Sequence, residues 1–251
     1  MAAEIAPEAV QLDLAKLTAI SEEPQQQLFV LNFLSTIERL VERLDADGAS
    51  AYQLFVQREL LRVVQLTAPA PTRLIRNVAG RCFAGVFGKG DRKLLYDTIN
   101  ELLVIVNAGK DRDVRTKHAA VHCLGEIFAV AGDSAISVAT FACSSLLKLL
   151  KNSSANCGLR GSIFGALGKV FRLVGGMADE PSARDIFKVV RNAAGGEKSA
   201  VVQASALQVD ASLDTCHRKW GLTPGSASKA CSRARPTFLR FKTLRSSRLR
   251  F

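Results

Sequence analysis

Three short phrases in this chain repeat one pattern. Phe83-Ala84-Gly85-Val86-Phe87, Leu124-Gly125-Glu126-Ile127-Phe128 and Leu167-Gly168-Lys169-Val170-Phe171 each set a small residue before an aliphatic–aromatic pair. Their last residues, Phe87, Phe128 and Phe171, lie 41 and 43 residues apart. The first two copies also match at Cys82 and Cys123, and a fourth begins at Ser199 and reaches Ala206-Leu207 on schedule. A period near 40 gives each unit room for two helices and their turns. One such pair cannot bury its apolar face alone, so its neighbours must cover it.

The intervening sequence is helical in period. After Pro24, apolar residues fall at Leu28, Leu31, Leu34, Ile37, Val41 and Leu44, with Glu38, Arg39, Glu42 and Arg43 between them. That spacing predicts an amphipathic helix, ended by Asp45, Asp47 and Gly48. Leu54 to Leu66 carry the next helical pattern, which Ala70-Pro71 breaks, and Pro71 suits the first turn of the following helix. Further helices are predicted over 91–108, 113–131, 133–151, 155–174 and 179–194, with Asp113-Val114-Arg115 opening the second copy. No segment alternates over six residues as a strand would. The fold class expected is all-α. With the period, it becomes an α-solenoid of the HEAT or armadillo type, antiparallel helix pairs stacked into a right-handed superhelix.

Charge divides the chain into two parts. The formal net charge is +11, yet residues 209–251 hold ten Lys/Arg against two Asp, so residues 1–208 are nearly balanced. Residues 1–208 are expected to form the solenoid, as the N-terminal portion of a longer array. In 209–251 the fourth repeat loses its phrase after Leu207, and a stretch follows with the single Trp220 and many Ser and Arg. This segment is expected to be a basic, disordered tail, or sequence read from an intron or a shifted frame that leaves the chain a fragment. A genuine tail would suit acidic surfaces, RNA or anionic lipid. An uninterrupted frame in the mature transcript across codon 208 would exclude the second origin.

The longest purely aliphatic run, Leu102–Val106, is too short to cross a bilayer, and no signal-peptide pattern opens the chain. Cysteines at 82, 123, 143, 157, 216 and 231 form no CxxC pair, so reduced thiols and a cytosolic setting are expected.

Candidate chemistry is sparse. His118 and His122 share a helical face, but a metal needs three or four converging ligands, and Cys123 points about 100° away from His122 toward the core. Ala119 also stands where a zinc protease needs its glutamate. Core-edge histidines are the expectation. Gly88-Lys89-Gly90-Asp91 lacks the Ser or Thr and the preceding strand of a phosphate loop, so it reads as a helix C-cap and turn. Gly158, Gly161, Gly165 and Gly168 recur along one helical stripe and predict close packing. Asn152-Ser153-Ser154 matches a glycosylation acceptor, which a cytosolic chain would not use. Arg73, Arg76 and Arg81 lie along one helix but are diluted by Asp97, Glu101, Asp111 and Asp113, so nucleic-acid binding by the solenoid is not expected. No catalytic, cofactor-binding or metal-ligating residue is assigned, no cofactor is expected, and the chain is read as a non-enzyme.

Three stretches carry a resemblance: Pro71-Thr72-Arg73, the block Lys117-His118-Ala119-Ala120-Val121-His122-Cys123-Leu124-Gly125, and Leu173-Val174-Gly175-Gly176 followed by Arg184-Asp185-Ile186-Phe187-Lys188. In order and spacing over about residues 12–208, they resemble the N-terminal region of the HEAT-repeat-containing protein 5 family. Its fungal members are the large accessory proteins of the type-one clathrin adaptor. The resemblance implies a scaffold in clathrin-adaptor-dependent traffic between endosomes and the trans-Golgi network. Adaptor subunits and their accessory proteins would be its partners, and its location cytoplasmic and peripheral on those membranes. It carries over no binding residue. The alternative is a karyopherin-like or translation-associated HEAT protein that binds nucleic acid or acidic cargo through its basic tail. Steep loss of binding with added salt would favour that alternative.

Overall fold

Two rows of helices make up most of the described part of the protein. The computed structural model describes residues 11–109, 113–153, 155–174 and 180–220. Ten α-helices follow in order: α1 (Leu14–Ala19), α2 (Glu23–Arg43), α3 (Ala46–Val64), α4 (Arg73–Phe87), α5 (Arg92–Asn107), α6 (Val114–Val130), α7 (Ile136–Asn152), α8 (Cys157–Val174), α9 (Glu180–Gly196) and α10 (Ala200–Trp220). A 3-10 turn, Gly132–Ala135, leads into α7. Among the described residues there is no strand, so the chain is all-α.

The even-numbered helices α2, α4, α6, α8 and α10 form one row, each packed on the next. In the other row α3 touches α5 and α5 touches α7, and the rows meet where α3 packs on α4, α5 on α6, α7 on α8 and α9 on α10. The three repeated phrases fall on α4, α6 and α8, consecutive members of the first row. Their final residues Phe87, Phe128 and Phe171 are all buried in one shared hydrophobic core. Burial of a Phe or Leu side chain contributes roughly 1.5–3 kcal/mol. Repeated along α4, α6 and α8, this term stabilises the core that the helices share.

Aspartates start several helices. Asp13, Asp45, Asp91 and Asp113 each accept a backbone N–H from the first turn of α1, α3, α5 and α6, satisfying donors that no helical carbonyl can reach. The opening of α6 at Asp113 agrees with the expectation. Asp45 corrects one: it ends nothing but caps α3, which starts at Ala46, so Asp47 and Gly48 lie in the first turn of α3. The helical pattern expected from Leu54 thus starts eight residues late, since α3 begins at Ala46 and already buries Ala49 and Gln53. Pro71 also lies outside a helix, because Thr72 is the N-cap of α4.

The expected boundary after residue 208 is not a helix end. α10 runs on to Trp220, and Val209 is buried against Gly168. Val202, Ala206 and Val209 keep helical spacing on one buried stripe, although the aromatic position of the phrase is lost. Residues 221–251, the remainder of the expected tail, lie outside the described residues, as do Gly175 and Gly176.

Gly132–Asn152 is long and apolar enough to cross a bilayer on length and composition, with a mean hydropathy of 1.3 over its most apolar window. Counting only aliphatic runs overlooked it, since alanines and Cys143 supply much of its apolarity. Here Ala139, Ala142, Leu146 and Leu150 are buried, and α7 packs on α5 and α8.

Candidate functional site

The row of even helices carries a band of polar side chains that link α2 to α4 and α6 to α8. Arg81 on α4 pairs with Glu38 on α2 through Nε–Oε1 at 2.5 Å. On α6, His118, His122 and Glu126 follow at four-residue spacing and so share one face. The Nε2 of His118 hydrogen-bonds Ser162 Oγ of α8 at 2.6 Å. Glu126 lies 3.7 Å from His122 and accepts Lys169 Nζ of α8 at 2.6 Å. Gly80 of α4 makes this possible: a Cβ there would sit 2.8 Å from Glu126 Cγ and 3.1 Å from His122 Cδ2. Nothing in the sequence marked Gly80, because the residues that need its bare backbone lie more than 40 positions away.

The electrostatics of the band are those of packing. Burial, then Arg76, then His122 push the His118 imidazole down to about 4. Burial also lowers His122, partly opposed by Glu126 and reinforced by Lys169 and Arg76. The Ser162–His118 contact has the spacing of a nucleophile and base. A useful base titrates near the working pH, however, and needs a third group to orient it. His118 is held well below neutrality, and the nearby carboxylate of Glu126 lies beside His122 instead. Among the described residues no three His, Cys, Asp or Glu side chains converge as metal ligands. The structure thus places His118 and His122 together at the edge of the core and turns Cys123 away into it.

The thiols follow the same logic. Burial pushes Cys82 and Cys143 up to about 12, and Cys123 higher still, so all three are poor nucleophiles. Cys82 and Cys123 occupy matching places on α4 and α6, as the repeat predicts. Cys157, in contrast, is exposed.

The Gly88–Asp91 segment is a turn between α4 and α5, with Gly88 as the C-cap. Its lysine has a further role. Lys89 Nζ donates to the carbonyls of Val41 at 3.1 Å and Leu44 at 2.9 Å, capping the C-terminal end of α2. Lys117 Nζ does likewise for α5, donating to Ala108 O at 2.7 Å and Gly109 O at 2.9 Å. These two caps, one spanning more than 40 residues and the other fewer than ten, were invisible in the sequence, where lysine reads as a solvated charge. Of the glycine stripe on α8, Gly168 meets Val209 and Gly161 meets Ser205 and Val201 of α10, whereas nothing lies near Gly165. Arg76 donates to Pro71 O at 3.0 Å and Arg73 is exposed, so the three arginines of α4 do not converge.

Several clefts indent the described surface. One of about 910 Å³ lies between α3 and α5, one of about 620 Å³ around Lys117 and Lys148, and one of about 320 Å³ beside Arg160 and Glu197. The chain matches no protein-family model. A solved engineered protein from the Northeast Structural Genomics Consortium superposes at a TM-score of 0.49 with 16% identity, covering 91% of this chain and 94% of that one. That likeness is too distant to bear on function.

Proposed function

We propose that this protein is a non-enzymatic HEAT-repeat scaffold. Its helix pairs wind as a right-handed superhelix, and it acts in clathrin-adaptor-dependent traffic between endosomes and the trans-Golgi network. The observation that carries the scaffold reading is the placement of the three repeated phrases on α4, α6 and α8, successive helices of one row. Stacking of this kind leaves long side-chain surfaces and suits protein partners rather than an enclosed substrate. Burial supports the same reading, since it holds the His118 imidazole of the polar band and the core thiols Cys82, Cys123 and Cys143 in their unreactive forms. The traffic assignment, with adaptor subunits and their accessory proteins as partners and a peripheral location on those membranes, rests on the sequence resemblance.

The test is a pull-down from native cells of the endogenous protein tagged near its N-terminus, read by mass spectrometry. Co-purification of clathrin-adaptor subunits that survives high salt is the expected result. Recovery with RNA-binding or nuclear proteins, lost steeply as salt is raised, would replace the traffic reading with nucleic-acid or acidic-cargo binding.

A further inference from the structure

Charge is distributed unequally between the two rows. Together α4, α6 and α8 contain eight Lys/Arg and one acid, Glu126, whereas α3 and α5 hold four residues of each sign. Half of the eight are engaged: Arg81 with Glu38, Arg160 with Glu197, Lys169 with Glu126, and Lys117 on the carbonyls of Ala108 and Gly109. Arg73, Arg76, Arg115 and Arg172 have no carboxylate partner among the described residues.

Three of these four stand together. Arg73, Arg76 and Gly80 follow at helical spacing on one face of α4, and Arg115, His118 and His122 do so on α6. Gly80 approaches His122 and Gly88 approaches Val130, so the two helices run side by side in the same direction. One turn back from the Gly80–His122 contact, Arg76 stands next to His118, whose imidazole is depressed by burial and then by the Arg76 charge. Arg73 and Arg115 lie one turn further toward the starts of α4 and α6, and both are exposed. Arg76 is half-buried, with its Nη1 donating to Pro71 O at 3.0 Å, so it carries a partly desolvated charge with no counter-ion. Arg172 is at the opposite end of the row, near the C-terminus of α8.

The acids close by in sequence do not neutralise this cluster. Asp97 and Glu101 line the cleft between α3 and α5, in the other row. On α6 the cluster is bounded by Asp113, which accepts the Arg115 N–H, and by Glu126, which Lys169 holds. At 1.5 Å per residue these two acids are about 20 Å apart, the length of roughly six extended residues. The rings of Phe83, Phe87, Phe128, Phe164 and Phe171 are all buried, so among the described residues α4, α6 and α8 offer no aromatic platform for unpaired bases. Acids at both ends also work against a continuous track of phosphates. Separate carboxylates on a short chain match the spacing, and arginine binds carboxylate through paired N–H groups. We propose that the starts of α4 and α6 dock a short acidic segment of a partner protein, with its carboxylates on Arg73, Arg76 and Arg115. This goes beyond the scaffold reading, since it fixes the chemistry of a partner segment and does not depend on the adaptor assignment.

The experiment uses the full chain and two fluorescein-labelled peptides of about eight residues. One carries glutamates at alternate positions, and the other has glutamine in their place. Fluorescence anisotropy should show the glutamate peptide binding at least about ten-fold more tightly, a margin of about 1.4 kcal/mol. Arg73→Glu and Arg115→Glu should each weaken it at least about five-fold, while Arg172→Glu, with the same change of charge, should weaken it less than about two-fold. Both test sites are exposed and lie in first helical turns, where an acid suits the helix dipole, so these variants should fold. Equal losses in all three variants would mean that net charge alone attracts the peptide. Undiminished binding in Arg73→Glu and Arg115→Glu would move it to other basic residues, such as those after residue 208. Either result overturns the proposal, as does failure of the glutamate peptide to bind. Displacement of that peptide by single-stranded RNA at lower concentration than by its own unlabelled form would assign the surface to nucleic acid instead.

Discussion

Gln53 brackets the backbone of Asp91: its Nε2 donates to the Asp91 carbonyl at 2.9 Å, and its Oε1 accepts the Asp91 N–H. The glutamine is fully buried in α3, and Asp91 is the N-cap of α5. One side chain thus fixes the point at which the next helix of the same row begins. Gln53→Leu keeps the volume but leaves both backbone groups without this partner, at about 1–3 kcal/mol for each group that water cannot reach. Urea denaturation should show a total loss of about 2–3 kcal/mol. A loss below about 1 kcal/mol would mean that water replaces the glutamine and that the bracket does not set the register.

Two glycines on the even row should respond oppositely to alanine. A Cβ on Gly125 would lie 3.1 Å from Ala166 Cα, a backbone atom of α8 that cannot swing aside. A Cβ on Gly165 meets nothing within 4 Å. In an open helix interior, Gly→Ala stabilises by roughly 0.5–1 kcal/mol through propensity and unfolded-state entropy. In urea denaturation Gly165→Ala should therefore raise the stability, while Gly125→Ala should lower it by about 1–3 kcal/mol as α6 and α8 are forced apart. Equal shifts in both variants would show that the α6–α8 contact is looser than the distances indicate.

The same pair shows what the sequence could and could not reveal. The stripe Gly158, Gly161, Gly165 and Gly168 was legible as a periodic feature, but periodicity assigns a face and not a neighbour, so Gly165 could not be told from Gly168. The repeat, the helical period and the buried Phe of each phrase were legible because local spacing determines them. The caps made by Lys89 and Lys117, the Gly80 approach to His122 and the bracket on Asp91 were not. Each depends on which helices stand side by side, which the local pattern around one residue does not encode. Gln57, buried in α3 with its Oε1 unmet among the described residues, is the extreme case, since glutamine on a helix reads as a solvated residue until its burial is known.

Thiol chemistry should sort with burial. Cys157 is exposed, whereas Cys82, Cys123 and Cys143 are buried with their thiols held far above neutrality. Brief treatment of the native protein with a maleimide, followed by digestion and mass spectrometry, should modify Cys157 first among these four. The other three should react only on addition of denaturant. Early labelling of Cys123 would mean that α6 separates from its neighbours under native conditions.

Acid should destabilise the fold through His118. Its folded value of about 4 lies below the roughly 6.5 of an unfolded histidine. Between those limits the unfolded chain binds a proton that the folded one refuses, so stability falls as pH drops from about 6.5 to about 4, and the contribution is fully present above 6.5. The whole shift corresponds to about 3 kcal/mol at 1.36 kcal/mol per unit, and partial exposure of the ring reduces this to roughly 1–2 kcal/mol. His118→Gln keeps an uncharged side chain that can hydrogen-bond Ser162, and it removes the titration. His122 remains in both proteins and titrates in the same direction, so the difference between them isolates His118. Urea midpoints measured from pH 7 to pH 4.5 should fall more steeply for the wild-type chain than for His118→Gln. Parallel curves would show that the ring takes up its proton at the helix interface without penalty, and the burial between α4 and α8 would then be less complete than its contact with Ser162 implies.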